Sequence, residues 1–204
     1  MDAMHVEQNM IKEHVGSQDQ VVAAFGGLNK IVFGGPQKIT VYPVVLPSAR
    51  LQLFQDHLML FFTGFTRIAS EVAEEQIKNT PLKKSELDRM RATVDEAIEI
   101  LNGDGKLDEF GHLLHEAWQI KKSLTQRISN TSLDTIYDRG RKAGALGGKI
   151  LGAGGGGFML FFVLPENREK VRQALSDLLY VPFAFENLGS QIIYYAPTEK
   201  HPRQ

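Results

Sequence analysis

A run of glycines that leads directly into an apolar segment constrains this chain most. Residues 154–157 are four consecutive glycines, and the apolar stretch Phe158–Val163 follows them. Glycine adopts positive φ without penalty and lets backbone N–H groups approach a ligand closely. Successive N–H groups in such a turn favour anions, phosphate above all. A tight turn between two buried elements is the simpler alternative, but it needs only one or two glycines. The sequence therefore favours a phosphate-associated loop.

Two well-known phosphate-binding motifs resemble this loop in sequence, but neither matches this segment in full. Gly152, Gly154 and Gly157 satisfy G-x-G-x-x-G, but that fingerprint follows a strand and opens a helix. Here we predict a helical stretch before the loop and a strand after it. A P-loop requires Lys followed by Ser or Thr, whereas Lys149 is followed by Ile150. Both the Rossmann and the P-loop interpretations therefore fail.

The composition of the chain excludes several classes of function. The 204 residues carry a net charge of −1, which gives no electrostatic reason to expect nucleic acid or an anionic membrane as a partner. No cysteine is present, so disulfides, thiolate metal sites and a cysteine nucleophile are excluded. The N-terminus lacks the features of a signal peptide, and the longest apolar run is too short to span a bilayer. A cytoplasmic protein is expected.

The periodicity of apolar residues predicts an α+β fold, with a small antiparallel sheet and helices on one face. A glycine pair, Gly26-Gly27, is expected to end a short helix, and Ser132 is expected to cap a later one. The predicted helices cover 3–14, 21–25, 68–77, 85–101, 107–126, a segment after 132, and 166–179; the predicted strands cover 30–33, 39–42, 58–62, 158–163, 183–185 and 192–195.

Two histidines on one predicted helix raise the alternative of a zinc site. His112 and His115 are followed by Glu116, but Gln119 stands where the motif His-Glu-x-x-His requires the second histidine. Surface or core histidines are therefore the favoured interpretation.

A third pattern fits the glycine loop. The segment Lys-x-x-Gly-Ala-Gly-Gly-Gly-Gly that begins at Lys149 resembles the C-terminal glycine motif of the GHMP small-molecule kinases. Within that family, residues 144–158 and 113–123 are most similar to the heptose 7-phosphate kinase group. The resemblance extends from about Met4 to Tyr195. It implies a two-lobed kinase in which this loop supports the main ATP-phosphate loop and shapes the active-site cleft.

The resemblance assigns roles to two carboxylates near the N-terminus. Glu7 and Asp19, the latter in Gly-x-Gln-Asp-Gln, match the family's Glu…Gly-x-Asp pairing. It implies that Glu7 binds Mg²⁺ and that Asp19 is the catalytic carboxylate facing the substrate hydroxyl. The chemistry suits these types, because a hard cation prefers carboxylate oxygen and a carboxylate can accept or orient the proton of an attacking hydroxyl. The alternatives are a solvated residue for Glu7 and a helix cap for Asp19.

The resemblance also implies residues on the substrate side. The segment Phe62-Thr63-Gly64-Phe65-Thr66-Arg67 is similar to a segment of the heptose kinase group, which supports Thr63, Thr66 and Arg67. Taken alone, either threonine is better explained as a helix cap. Lys121 and Lys122 are candidates for a sugar phosphate, and a solvated basic face is the equal alternative.

The family's ATP-phosphate motif, Pro-x-x-x-Gly-Leu-Gly-Ser-Ser, should precede Glu7 and does not occur in this sequence. We therefore interpret residues 1–50 as the end of an N-terminal lobe and 51–204 as the C-terminal domain, in a fragment or truncated form. The implied function is transfer of a phosphoryl group from ATP, with Mg²⁺, to the anomeric hydroxyl of a heptose 7-phosphate. The alternatives are a fucose or galactose kinase of the same family, or a catalytically silent binding remnant. An open sheet edge in the first lobe predicts self-association.

Overall fold

The computed structural model describes residues 2–12, 16–35, 38–65 and 69–195, except for the side chains of 69–71. The helices are α1 (Asp2–His5), continued by a π-helical turn at Val6–Ile11, α2 (Gln18–Phe25), α3 (Ser48–Asp56), α4 (Ala69–Asn79), α5 (Lys84–Asn102), α6 (Asp108–Leu124), α7 (Thr131–Lys142) and α8 (Arg168–Ala174). The strands are β1 (Asn29–Phe33), β2 (Ile39–Pro43), β3 (Leu58–Phe62), β4 (Ala145–Ile150), β5 (Phe158–Val163) and β6 (Leu179–Val181). Short 3₁₀ turns lie at Thr80–Leu82 and Pro165–Asn167.

A four-stranded antiparallel sheet with the order β4-β5-β3-β6 forms the centre of the chain. β3 and β5 are its inner strands, and they pair from Leu58 with Phe162 to Phe62 with Phe158. Both are almost uninterrupted apolar runs, which is expected of strands that are buried on both faces. β1 and β2 form a separate two-stranded hairpin. The α+β class predicted from the sequence is confirmed.

The two faces of the sheet pack into two apolar clusters. Met59 and Phe61 belong to a cluster with side chains of α4, α6, α7 and α8. Leu58 and Phe162 belong to a second cluster with side chains of α3 and α5. Since neighbouring residues of a strand point to opposite faces, the helices cover both faces. The prediction of helices on one face only was wrong, because apolar periodicity does not say how many layers share a strand.

Other predictions of secondary structure also differ from the structure. The glycine loop is preceded by the strand β4, where a helical stretch was expected. The helix expected at 166–179 is α8 with a preceding 3₁₀ turn, and the strands expected at 183–185 and 192–195 are absent from that part of the described chain, where β6 forms earlier. The first helix becomes a π-helical turn after His5. Gly26 does end α2, with φ of 63°.

No helix within the described ranges is both long enough and apolar enough to span a membrane.

Candidate functional site

The glycine loop connects two adjacent antiparallel strands, β4 and β5, at one end of the central sheet. Two of its amides are bonded to neighbouring backbone: Gly155 N–H donates to Ile128 O at 2.9 Å, and Gly157 N–H donates to Phe65 O at 2.8 Å. These bonds fasten the loop to the α6–α7 connection and to the segment after β3. Any contact with phosphate therefore falls to the other amides of the loop.

Side chains from three other elements hold the carbonyl groups of the same loop. Thr63 Oγ1 donates to Gly157 O at 2.8 Å, Gln76 Nε2 donates to Ala153 O at 2.9 Å, and Lys121 Nζ donates to Gly152 O at 2.6 Å. Each bond fixes the orientation of one peptide group. The loop is thus pre-organised by the fold, which is the condition for backbone dipoles to act on a charged ligand without reorganisation.

Close packing explains why glycine is needed at two positions of the loop. A Cβ at Gly156 would lie 2.6 Å from Phe65 O, and a Cβ at Gly154 would lie 2.9 Å from Ile128 O. Gly154 also has φ of 113°, a conformation that L side chains rarely adopt. At these positions the glycines serve the packing of the loop, whatever it binds.

Two lysines lie close together beside this loop. Lys121 is near the C-terminal end of α6, and Lys149 is on β4, three residues before Gly152. Burial lowers the pKa of Lys121 to about 8, and the charge of Lys149 contributes to the same shift. Burial also lowers the pKa of Lys149. The site therefore concentrates positive charge where water is partly excluded.

Replacement of Lys121 by Met is expected to change the pH dependence of stability. The pKa of about 8 in the folded chain lies below the ordinary value of 10.5, so between these values the unfolded state binds more protons and stability rises with pH. From pH 8 to 10.5 the wild type should gain about 2 kcal/mol relative to Lys121→Met, a figure reduced for partial exposure of the side chain. Urea denaturation at several pH values measures this difference. The matched control is Lys142→Met, at an exposed position on α7, which measures the effect of removing a lysine side chain from the surface. A Lys121 difference that is flat or falls over this range would contradict the expectation.

Lys122 is engaged differently from its neighbour. Its Nζ donates to Asp134 Oδ1 at 3.0 Å and lies 5.9 Å from the centre of the Trp118 ring. Asp134 also accepts from Ser129 Oγ at 2.9 Å. Lys122 therefore fastens α6 to the start of α7, and of the two predicted lysines only Lys121 contacts the glycine loop.

The cap of α7 is Asn130, whose Oδ1 accepts from Leu133 N–H; the predicted cap Ser132 lies inside the helix.

Glu7 lies in the π-helical turn at Val6–Ile11, and Asp19 lies at the start of α2. Asp19 is exposed in the first turn of α2, and the N-cap position is Ser17. Gln20, the next residue, donates from Nε2 to a carboxylate oxygen of Glu7. Gln20 Oε1 is buried without a hydrogen-bond partner among the described residues. Glu7 supplies one carboxylate, the ligand type that usually holds Mg²⁺ together with substrate phosphates, and no group of three or more carboxylates or histidines that could hold a metal lies within the described residues.

The remaining predicted residues lie on the segment after β3. Thr66 and Arg67 lie outside the described residues. Thr63 is buried, and its hydroxyl also accepts from Phe65 N–H at 3.4 Å. The described part of α4 begins at Ala69, directly after residues 66–68, so the capping alternative for Thr63 and Thr66 lies outside the described residues.

Sequence reasoning missed Lys149 and Gln76 as members of this site. Lys149 was recognised only as the first residue of the glycine motif, because the segment before the loop was not identified as a strand. Its composition, Ala-Leu-Gly-Gly-Lys-Ile, has little of the β-branched and aromatic content that indicates a strand. Gln76 carries no signal in the sequence, since its contact depends on how α4 packs against the loop.

Comparison with known proteins gives one family match. Residues 94–181 match the family model described as GHMP kinases C terminal. This range contains α6, α7, β4, the glycine loop and β5.

Two curated relatives cover most of this chain. The D-glycero-alpha-D-manno-heptose 7-phosphate kinase of Campylobacter jejuni is 34% identical over 163 residues, which are 78% of this chain and 48% of the relative. The bifunctional fucokinase/GDP-fucose pyrophosphorylase of Arabidopsis thaliana is 27% identical over 164 residues, which are 78% of this chain and 15% of the relative. The chain thus spans about half of the first relative and less of the second.

Solved structures share the fold. A D-glycero-D-manno-heptose 1-phosphate kinase from Bacteriodes thetaiotaomicron superposes with a TM-score of 0.66 at 24% identity, over 94% of this chain and 54% of the other. A putative sugar kinase from Campylobacter jejuni superposes with a TM-score of 0.62 at 28% identity, over 92% of this chain and 54% of the other.

Proposed function

We propose that this chain, which carries a GHMP kinase C-terminal domain, forms part of a sugar kinase that acts on a heptose 7-phosphate. The single observation that carries the proposal is the 34% identity to a heptose 7-phosphate kinase over 78% of this chain. In the proposed reaction the γ-phosphoryl group of ATP is transferred to the anomeric hydroxyl of the sugar.

The described residues divide the work of this reaction. Asp19 accepts or orients the proton of the attacking hydroxyl. Glu7 would hold Mg²⁺ together with phosphate oxygens of the substrate, and the ion would neutralise phosphate charge. The glycine loop, fixed by Thr63 and Lys121, presents oriented backbone dipoles to phosphate. Phosphoryl transfer depends mainly on such positioning and charge stabilisation.

Two residues outside the described ranges are proposed to bind the sugar substrate. Thr66 and Arg67 follow Thr63, and an arginine offers a fixed fork to phosphate oxygens that a lysine cannot reproduce. The chain spans about half the length of its first curated relative, and the family's ATP-phosphate motif does not occur in this sequence. Self-association through residues 1–50 also remains a prediction.

A second candidate is another sugar kinase of this family. The similarity to a fucokinase over 78% of this chain favours fucose as the alternative acceptor. Hydroxyl recognition depends on the shape of the pocket, so sequence similarity at this level does not separate the two sugars.

A panel of acceptors tests the proposal in an active kinase that contains this chain. We expect heptose 7-phosphate to be used with a kcat/KM about 10- to 100-fold above that of the unphosphorylated heptose, because charged hydrogen bonds to the phosphate contribute about 1.5–3 kcal/mol. Fucose and galactose serve as controls in the same assay. Faster turnover of fucose or galactose than of heptose 7-phosphate would show that heptose 7-phosphate is not the preferred substrate.

A further inference from the structure

Lys121 and Lys149 are two cations beside the glycine loop that lack an acidic partner within the described residues. The bond from Lys121 Nζ goes to a backbone carbonyl, Gly152 O at 2.6 Å, and no hydrogen bond or ion pair of Lys149 is formed within the described residues. The nearby lysine Lys122, by contrast, is paired with Asp134. No carboxylate in the described part of the chain therefore pairs with either ammonium group.

Apolar surface surrounds this pair on one side. Lys149 lines a cavity of about 290 Å³ between the β1–β2 hairpin and the helices α5 and α6, and Leu114 and Ala117 of α6 line the same cavity. Lys121 follows Ala117 by four residues, which places it one turn further along the same face of α6. Water is thus partly excluded from a place where two positive charges lie together. Such an arrangement is costly unless an anion compensates the charges.

The charge of the pair selects the chemistry of the anion. A phosphate monoester carries about −1.5 to −2 charges near pH 7 and offers three acceptor oxygens, whereas a carboxylate carries one charge. Low local dielectric strengthens the attraction of the ammonium groups for the bound anion.

We propose that Lys121 and Lys149 together form a subsite for a phosphate monoester, that of the sugar substrate, beside the glycine loop. This inference rests on the proposed function for the identity of the ligand, but the anion site itself does not. Lys149 is a binding residue in this account, and Lys122 is a structural one.

Titration of this chain with inorganic phosphate, followed by ³¹P NMR, tests the subsite without any kinase activity. We expect a dissociation constant of about 1 mM, a loss of affinity of about tenfold or more in both Lys149→Met and Lys121→Met, and substantial retention in Lys149→Arg. The control Lys142→Met, at an exposed lysine of α7, should bind as the wild type does. Thermal melts check the fold, because removal of an uncompensated charge should leave the melting temperature of Lys149→Met unchanged or higher. No phosphate binding by the wild type, or unchanged binding in Lys149→Met, would overturn the subsite.

Competition identifies the source of the phosphate group. Heptose 7-phosphate should displace inorganic phosphate, and the unphosphorylated heptose should not. Displacement by ATP alone would overturn the assignment to the sugar substrate. If phosphate binds and depends on both lysines while no sugar is phosphorylated by the active kinase, the subsite stands and the proposed function fails.

Discussion

Replacement of Asp19 by Asn is expected to lower kcat by about 10²–10⁴ in an active kinase that contains this chain. Asn keeps the size and the hydrogen bonds of the side chain but removes its charge and basicity. Asp19 is exposed in the first turn of α2, so the exchange disturbs no packing. The loss therefore reports on the chemical step, and the KM for both substrates should change little.

The matched control for this prediction is Asp104→Asn, at an exposed position between α5 and α6. Steady-state kinetics on both variants measure the effect. An Asp19→Asn enzyme that retains kcat within about threefold of the wild type would remove Asp19 from the catalytic role, since general-base assistance is worth far more than that. Unchanged kcat in Asp104→Asn confirms that loss of one surface carboxylate has no general effect.

The exchange Gly147→Ala is expected to lower the free energy of unfolding by about 3 kcal/mol or more. A Cβ at this position would overlap with Gly111 O of α6 and would lie 2.8 Å from His115 N. Both are backbone atoms, so no side-chain rotation can make room. The added methyl group must push β4 away from α6, and these two elements also carry Lys149 and Lys121.

Urea denaturation of the chain measures this effect, with Gly105→Ala as the control. A Cβ at Gly105, in the α5–α6 turn, would meet no atom within 4 Å beyond its chain neighbours, so the control should change the free energy of unfolding by about 1 kcal/mol or less. A Gly147→Ala change as small as that of the control would show that β4 and α6 are not packed as closely as described. Loss of phosphate binding in Gly147→Ala would follow from the displacement of the two lysines.

Strong apolar runs and helical periodicity made much of the fold predictable. β3 and β5 are recognisable because they are buried on both faces and therefore nearly continuous in apolar residues. α5 and α6 are recognisable because apolar residues recur at intervals of three and four. The family motif around the glycine loop is equally local, since it consists of consecutive residues, and it pointed to the kinase family that the comparisons support.

The tertiary structure alone decided which side chains meet at the glycine loop. β4 is poor in strand-forming residues. It forms a strand because it pairs with β5 and packs against α6. α6 can approach β4 this closely only because residue 147 is glycine. Lys121 and Lys122 are neighbours in sequence with the same chemistry, yet the rotation of α6 directs one to Gly152 O and the other to Asp134. A sequence states residue types and their local order. The direction of a side chain at the end of a helix depends on which surfaces of that helix are buried, and that is fixed only when the elements pack together.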